Sequence, residues 1–239
     1  MNHNVLNRDN LQSFYNRALS LKERFVNYQE ICFPGDNLHA WPQFIYGFSE
    51  DTFRVEERLM QVLEKVEFPA YVIIDSEHKE VLDSLRSLGF MPVEIWPMMY
   101  LNISDFNKDL QENMLTDYDS QILALINETH FAKQPLEEEY FKYLLGLEGC
   151  MVFGMYDADK VVAACLTFKQ DSNLGIYMMS TNNNYRGKGW GRKLLHNIIS
   201  DCKTKQIQSL TLQANQLSVG FYKKIGFSIT GNYLIFVKK

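Results

Sequence analysis

Apolar residues recur at steps of three and four through the first part of the chain. Leu11, Phe14, Ala18, Leu21, Phe25 and Tyr28 form one continuous stripe, which predicts a helix over 8–31 with that stripe in the core. Pro34 and Gly35 break the pattern, so 33–41 reads as a loop, with His39 an ordinary loop histidine rather than a ligand. Phe53, Val55, Leu59, Val62, Leu63 and Val66 predict a second helix over 51–66. Then the period changes. Residues 68–75, F-P-A-Y-V-I-I-D, are β-branched and aromatic and read as a strand; a helix ending on Gly89 follows, and a strand-like run reaches Ile103. A polar run over 104–111 marks a boundary, placed between residues 107 and 108.

The second part has its own rhythm. Ile122, Leu123, Leu125 and Ile126 lie on one helix, a second helix runs over 135–147, and His130 and Phe131 sit in the loop between. Strands over 150–156 and 161–168 are joined by a D-A-D-K turn, and an apolar strand over 175–180 follows. Leu194, Leu195, Ile198, Ile199 and Cys202 then recur at helical spacing, with His196 on the helix surface. The run S-L-T-L-Q-A, 209–214, alternates as a strand, a short helix ends on Gly226, and Gly231-Asn232 reads as the tight turn of a short last hairpin.

Between the strand over 175–180 and the long helix lies N-N-N-Y-R-G-K-G-W-G-R-K, from Asn182 to Lys193. Gly187, Gly189 and Gly191 remove the Cβ atoms that would hold a ligand away, and they let successive N–H groups converge at a helix N-terminus. The helix dipole adds about half a positive charge there. Arg186, Lys188, Arg192 and Lys193 add more, so a diphosphate suits the loop. A phosphate-binding loop of the NTPase type needs Ser or Thr after its lysine, and neither lysine here has one. A dinucleotide fingerprint needs G-x-G-x-x-G early in a βαβ unit, whereas G-x-G-x-G stands here, late in the chain.

Arg186, Gly189 and Gly191 match [QR]-x-x-G-x-[GA], which resembles the acetyl-CoA pyrophosphate loop of the GNAT superfamily of N-acetyltransferases. The segment after the strand over 209–214 resembles that family's second motif, N-x(5)-[FL]-Y-x-K-x-G-F, with Asn215, Phe221, Tyr222, Lys224, Gly226 and Phe227 in register. The resemblance implies an α/β fold with a mixed, centrally splayed sheet flanked by helices, and acetyl-CoA as co-substrate. It implies cofactor contacts from the strand end Met179, Ser180 and Thr181, and from the loop Arg186, Gly187, Lys188, Gly189, Trp190, Gly191 and Arg192. Asn215, Tyr222 and Lys224 join these from the second motif, with Tyr222 as the acid that reprotonates the departing thiolate. A phenol suits that task, since its reference pKa of about 10 is close to a thiol's, about 8.5. The pattern departs from the family in two places. No acid lies on the strand over 175–180, where many members carry a glutamate, and Asn182, Asn183 and Asn184 replace the proline usual before the loop. Glu137, Glu138, Glu139 and Glu148 are the remaining candidate bases, although three consecutive glutamates also fit a solvated helix face.

The first part repeats the order of the second. Laying Leu88-Gly89-Phe90 on Ile225-Gly226-Phe227 puts Leu85 at the position of Tyr222 and His78 at that of Asn215. The helix before it begins S-E-D-T-F-R, without a glycine loop. Two such halves in tandem are expected, a degenerate one over 1–107 and an acetyl-CoA-binding catalytic one over 108–239.

Composition narrows the partners. The 239 residues include 46% hydrophobic and 22% charged, with a net charge of −5, as in an ordinary globular chain. Mild acidity disfavours nucleic acid and leaves an amine acceptor, small molecule or peptide, open. Cys32, Cys150, Cys165 and Cys202 show no C-x-x-C pairing and read as buried reduced thiols with no metal role, which suits the cytoplasm. No apolar stretch approaches the roughly 18 residues of a membrane span, and the start of the chain is polar, unlike a signal peptide. Three functions follow: an N-acetyltransferase acting on a primary amine by direct attack, an acyltransferase for longer chains, or a non-catalytic acyl-CoA sensor or scaffold. The oligomeric state is not set by these features.

Overall fold

The computed structural model describes residues 3–19, 25–28, 31–34, 44–48, 54–65, 69–106 and 114–239. They belong to two compact units: Met1–Met99 with Gln213–Gly220 and Ile229–Lys239, and Tyr100–Leu212 with Phe221–Ser228. The expected boundary at 107/108 lies outside the described residues, as does His39.

The first unit begins with α1 (His3–Leu19), followed by the antiparallel pair β1 (Phe25–Tyr28) and β2 (Ile31–Pro34). The expected helix over 8–31 is therefore wrong in its second half. Phe25 and Tyr28 keep the helical period, but a period of three over so few residues also fits strand segments rich in aromatic and branched residues. Pairing decided it: Cys32 exchanges backbone hydrogen bonds with Tyr46 at 2.8 and 2.9 Å, and Ile31 is fully buried. The helix also starts earlier than the apolar stripe suggests, because Asn4, Asn7 and Asn10 are buried on it. Asn7 donates to the Met99 carbonyl at 3.2 Å and accepts from Gln213 at 2.7 Å, and Asn4 donates to Glu77 at 3.0 Å. Buried amides on a helix face are invisible to a count of apolar positions.

The unit continues with β3 (Phe44–Ile45), α2 (Val55–Leu63), β4 (Ala70–Asp75), α3 (Lys79–Ser87) and β5 (Met91–Asn102). Its strands lie in the order β3, β4, β11, β5, where β11 (Ser228–Lys238) is the last strand of the chain. β3 is parallel to β4, and β11 is antiparallel to it, with Tyr233 opposite Asp75 and Lys238 opposite Ala70. The expected short last hairpin does not form. Gly231 lies within one continuous strand, and its lack of a side chain serves a close approach: a Cβ there would stand 2.9 Å from the Asn4 amide. Leu59, Val62, Val72, Ile74, Leu85, Phe90 and Phe236 form the core of this unit.

The second unit contains β6 (Met114–Leu115), α4 (Ser120–His130), α5 (Glu138–Gly146), β7 (Cys150–Asp157), β8 (Lys160–Gln170), β9 (Asn173–Thr181), α6 (Trp190–Thr204) and β10 (Ser209–Gln213), followed by α7 (Val219–Lys223). Strands β6 to β9 are antiparallel in sequence, and β10 is parallel to β9, so the sheet is mixed and flanked by helices as expected. Leu194, Leu195, Ile198, Ile199 and Cys202 are fully buried, as the spacing predicts. His196 is buried too, against expectation, because its ring meets Phe106 edge to face at 5.0 Å. All four cysteines are free and buried. Among the described residues no helix is long and apolar enough to cross a membrane.

Both units contain a parallel strand pair joined through a helix, β3-α2-β4 and β9-α6-β10, and then a helix ending in the same turn. The Phe90 N–H donates to the Leu85 carbonyl at 2.9 Å, as the Phe227 N–H does to Tyr222 at 3.2 Å. Gly89 and Gly226 take positive φ of 83° and 121°.

Because β11 lies between β4 and β5, the first unit depends on the last residues of the chain. Phe236→Ala should cost about 3–5 kcal/mol, as for a fully buried phenylalanine, in chemical denaturation. A fragment over 1–107, which lacks β11, should show no cooperative unfolding transition; a cooperative one would contradict this assignment.

Candidate active site

The site begins where two strands part. β10 pairs with β9 from Ser209 opposite Asn173 to Leu212 opposite Ile176, and their paired register ends there, while β9 runs on to Thr181 against β8. The ladder between β9 and β10 thus ends at Ile176, short of the end of β9 at Thr181. Within this stretch the register with β8 slips: Ala164 is opposite Ser180 and Leu166 opposite Tyr177, so Cys165 alone faces Met178 and Met179. This is a β-bulge, and Met178 carries it at a positive φ of 52°, where a side chain costs about 1–2 kcal/mol.

Side chains hold the bulge in place through its carbonyls. Ser180 donates its hydroxyl to the Met178 carbonyl at 3.0 Å, and a ring nitrogen of His130, Nε2, donates to that of Met179 at 3.1 Å. Arg186 Nε donates to the Thr181 carbonyl at 3.3 Å. Three carbonyls at the strand end are thus occupied by side chains.

Beyond β9 the three asparagines form a 3-10 turn, Asn183–Tyr185, whose N-cap Asn182 accepts from the Asn184 N–H at 3.1 Å. Asn183 donates to Glu128 on α4 at 3.2 Å. This turn takes the place of the missing proline. The glycine loop follows, with φ of 75° at Gly187 and 89° at Gly189, values that a Cβ would strain. Gly189 caps α6 with no side-chain hydrogen bond, so the first N–H groups of that helix are open. Gly191 is needed for contact: a Cβ there would lie 3.1 Å from Thr181 Oγ1 and 3.4 Å from both Met179 Cε and Phe221 Cζ. The strand end, the loop and α7 therefore meet at Gly191.

Around this N-terminus the charge is positive. Lys188 lies over the Tyr185 ring at 5.1 Å and Lys193 over the half-buried Trp190 at 5.0 Å. Among the described residues no carboxylate pairs with Arg186, Lys188 or Arg192. Tyr222 is buried, packed edge to face on Phe221 and Phe227 at 5.0 and 5.7 Å. Burial, and then the Cys165 thiol opposite the bulge, push its phenol well above the usual value, so it remains protonated. Lys224 is exposed. Asn215, in the first unit, is exposed and turns back on its own segment, accepting from the Ser218 N–H at 2.8 Å.

The candidate acids Glu137, Glu138, Glu139 and Glu148 are all exposed. Glu138 pairs with Lys142 at 2.6 Å on the exposed face of α5, and that hydrogen bond holds its carboxyl below the usual range. The titratable group that does reach the bulge is His130, at the end of α4, which the sequence presented only as a loop residue. A lone histidine without a motif gives no signal by itself; the partnership is made by packing α4 against β9.

These features coincide with a family match: residues 111–236 fit the model described as the acetyltransferase (GNAT) domain. The chain belongs to the GNAT acetyltransferase family and is an acyltransferase. A GCN5-related N-acetyltransferase from Kribbella flavida shares the fold at a TM-score of 0.68 and 10% identity, over 100% of this chain and 95% of that one. One from Sphaerobacter thermophilus gives 0.63 at 15% identity, over 90% and 75%. A tandem GNAT protein from the clavulanic acid biosynthesis pathway gives 0.61 at 9% identity, over 82% and 73%. No curated protein matches the sequence.

The site also has a pH signature. Loss of water from the ring edge that meets the bulge, with Arg186 adding a smaller push, lowers the His130 imidazole below its ordinary value of 6.5, against the opposing pull of the Met178 and Met179 carbonyls. The folded protein then binds fewer protons at mildly acidic pH than the unfolded chain. His130 therefore has no effect on stability above about 6.5 and reduces it as pH falls from there toward the folded value. His130→Gln should flatten that part of the curve when unfolding free energy is measured in urea from neutral to mildly acidic pH.

Proposed function

We propose that this protein transfers the acetyl group of acetyl-CoA to a primary amine of a small molecule or peptide by direct attack. The observation that carries this is the parting of β9 from β10 after Ile176 and Leu212, next to an uncapped, positively charged helix N-terminus. An open strand edge accepts an extended amide-containing arm, and open helix N–H groups accept a diphosphate; acetyl-CoA has both. The acetyl thioester is the activated group that it supplies when bound. The residues that hold it are Met179, Ser180 and Thr181 along the edge, and Arg186, Gly187, Lys188, Gly189, Trp190, Gly191 and Arg192 at the helix start. Asn215 and Lys224 join them on motif alone.

Backbone N–H groups at the bulge stabilise the negative charge that develops on the carbonyl oxygen as the amine attacks. Tyr222, protonated at working pH, gives its proton to the departing thiolate. Its raised pKa widens the gap to a thiol beyond the one between the free groups, so the transfer needs the thiolate in the same water-poor environment. We also read the first unit as a degenerate copy of the second. Its matching turn at Leu85 and Phe90 supports this, and Leu85 there stands where the acid would be.

Screening primary amines, polyamines, aminoglycosides and peptide N-termini with thiol release as readout tests the reaction. Binding of acetyl-CoA without release to any of them would favour a sensor or scaffold. Gly189→Asp puts a side chain and a negative charge at the helix start, and should weaken acetyl-CoA by at least about 1.5–3 kcal/mol in calorimetry, roughly ten- to hundredfold. Unchanged affinity would contradict the assigned loop. Tyr222→Phe keeps the ring packing; it should leave that affinity intact and lower kcat by about 10²–10⁴-fold, with loss of a basic-limb ionisation. Equal kcat and an equal pH profile would leave water as the proton source.

A further inference from the structure

Acetyl transfer to an amine needs a group that removes a proton, since an amine in water is mostly an ammonium ion at neutral pH. β9 carries no carboxylate, and the glutamates of α5 are turned to solvent around Lys142. We propose that His130 is the general base of this reaction, acting through Nδ1. The role rests on the acetyl-transfer reading above.

The argument is one of tautomer and place. Carbonyl oxygens only accept, so the nitrogen facing the Met179 carbonyl at 3.1 Å carries the hydrogen. A neutral imidazole has one N–H; with Nε2 as the donor, Nδ1 has a lone pair. The Nε2 edge is pinned to the bulge, while the residue as a whole is exposed and within reach of an incoming amine. The same bulge presents the N–H groups assigned to the thioester carbonyl, so base and electrophile are set by one piece of backbone. The groups facing the ring are those carbonyls from β9, Phe131 at 6.2 Å, and the Arg186 guanidinium from the loop after β9. Glu128 on the same helix is engaged by Asn183. The enclosure of its Nε2 edge at the bulge, and then the Arg186 guanidinium, favour the neutral ring, the form that can accept a proton.

The step balances as follows. The ammonium gives one proton to Nδ1, and the freed nitrogen lone pair forms the C–N bond to the acetyl carbon. The C–S bond then breaks with its electron pair on sulfur, Tyr222 protonates the thiolate, and the second proton lost by the nitrogen restores Tyr222 through solvent. His130 then releases its proton to water.

Two measurements on the full chain test this. In ¹⁵N-histidine NMR, His130 should appear as the Nε2–H tautomer, neutral at neutral pH; an Nδ1–H tautomer or a protonated ring there would overturn the proposal. In kinetics, His130→Gln keeps an amide donor for the Met179 carbonyl but has no base. With benzylamine, an ammonium ion at neutral pH, kcat/KM should fall by about 10²–10⁴-fold and lose its acid limb. With hydroxylamine, largely neutral there, it should change little, and acetyl-CoA affinity should be that of the wild type. Equal loss with both amines would mark a structural role, and no loss with either would remove His130 from the chemistry. If the wild type acetylates neither, the acetyl-transfer reading fails first, and this role with it.

Discussion

The parting of two parallel strands is the constraint on which the site depends. Had β9 and β10 stayed paired beyond Ile176 and Leu212, every backbone group at the strand end would be spent in the ladder, and the strand edge would offer a ligand nothing. Keeping an edge open in a sheet exposes hydrogen-bonding groups that invite unwanted pairing. Here the edge is guarded by the bulge at Met178 and by side chains from three places, Ser180, His130 and Arg186, which occupy its carbonyls. The positive φ at Met178 is consistent with that role: strain in a strand interior persists only where surrounding bonds fix it.

The helix start completes this arrangement. A glycine N-cap contributes no side-chain acceptor, which leaves the first N–H groups of α6 unspent, and Gly191 brings that end of the helix against Thr181 and Met179. The cost of a glycine N-cap against Ser or Asp is small, about a few tenths of a kcal/mol. The same segment draws on α7 through Phe221, next to Tyr222. A family fold thus provides the opening, and particular side chains of this chain decide what happens in it. Three asparagines shape the turn after β9, and His130 from α4 meets the bulge.

The first unit shares local features with the second. Its parallel pair β3 and β4 and its glycine turn at Gly89 mirror the second unit, yet Leu85 is fully buried in an apolar core, and the helix after β3 begins without glycines. Its sheet is closed by β11, the last strand of the chain, which lies between β4 and β5. Gly231 lies within that strand, where a Cβ would stand 2.9 Å from the Asn4 amide of α1.

Much of the site was legible in the sequence because it is local. The glycines at 187, 189 and 191 act through their own backbone and immediate neighbours, and the buried face of α6 follows from helical spacing alone. The α/β class was legible for the same reason, as was the order of strands and helices beyond residue 68 except for β6 and for the last strand, which was expected as a hairpin. What the tertiary structure decided is non-local. A period of three could not separate helix from strand at 25–34, because pairing of β1 with β2 and of Cys32 with Tyr46 settled it. Buried asparagines on α1 and the burial of His196 against Phe106 needed partners distant in sequence. His130 is the clearest case: 49 residues separate it from Met179, and no pattern along the chain reveals that a helix end and a strand bulge share one hydrogen bond.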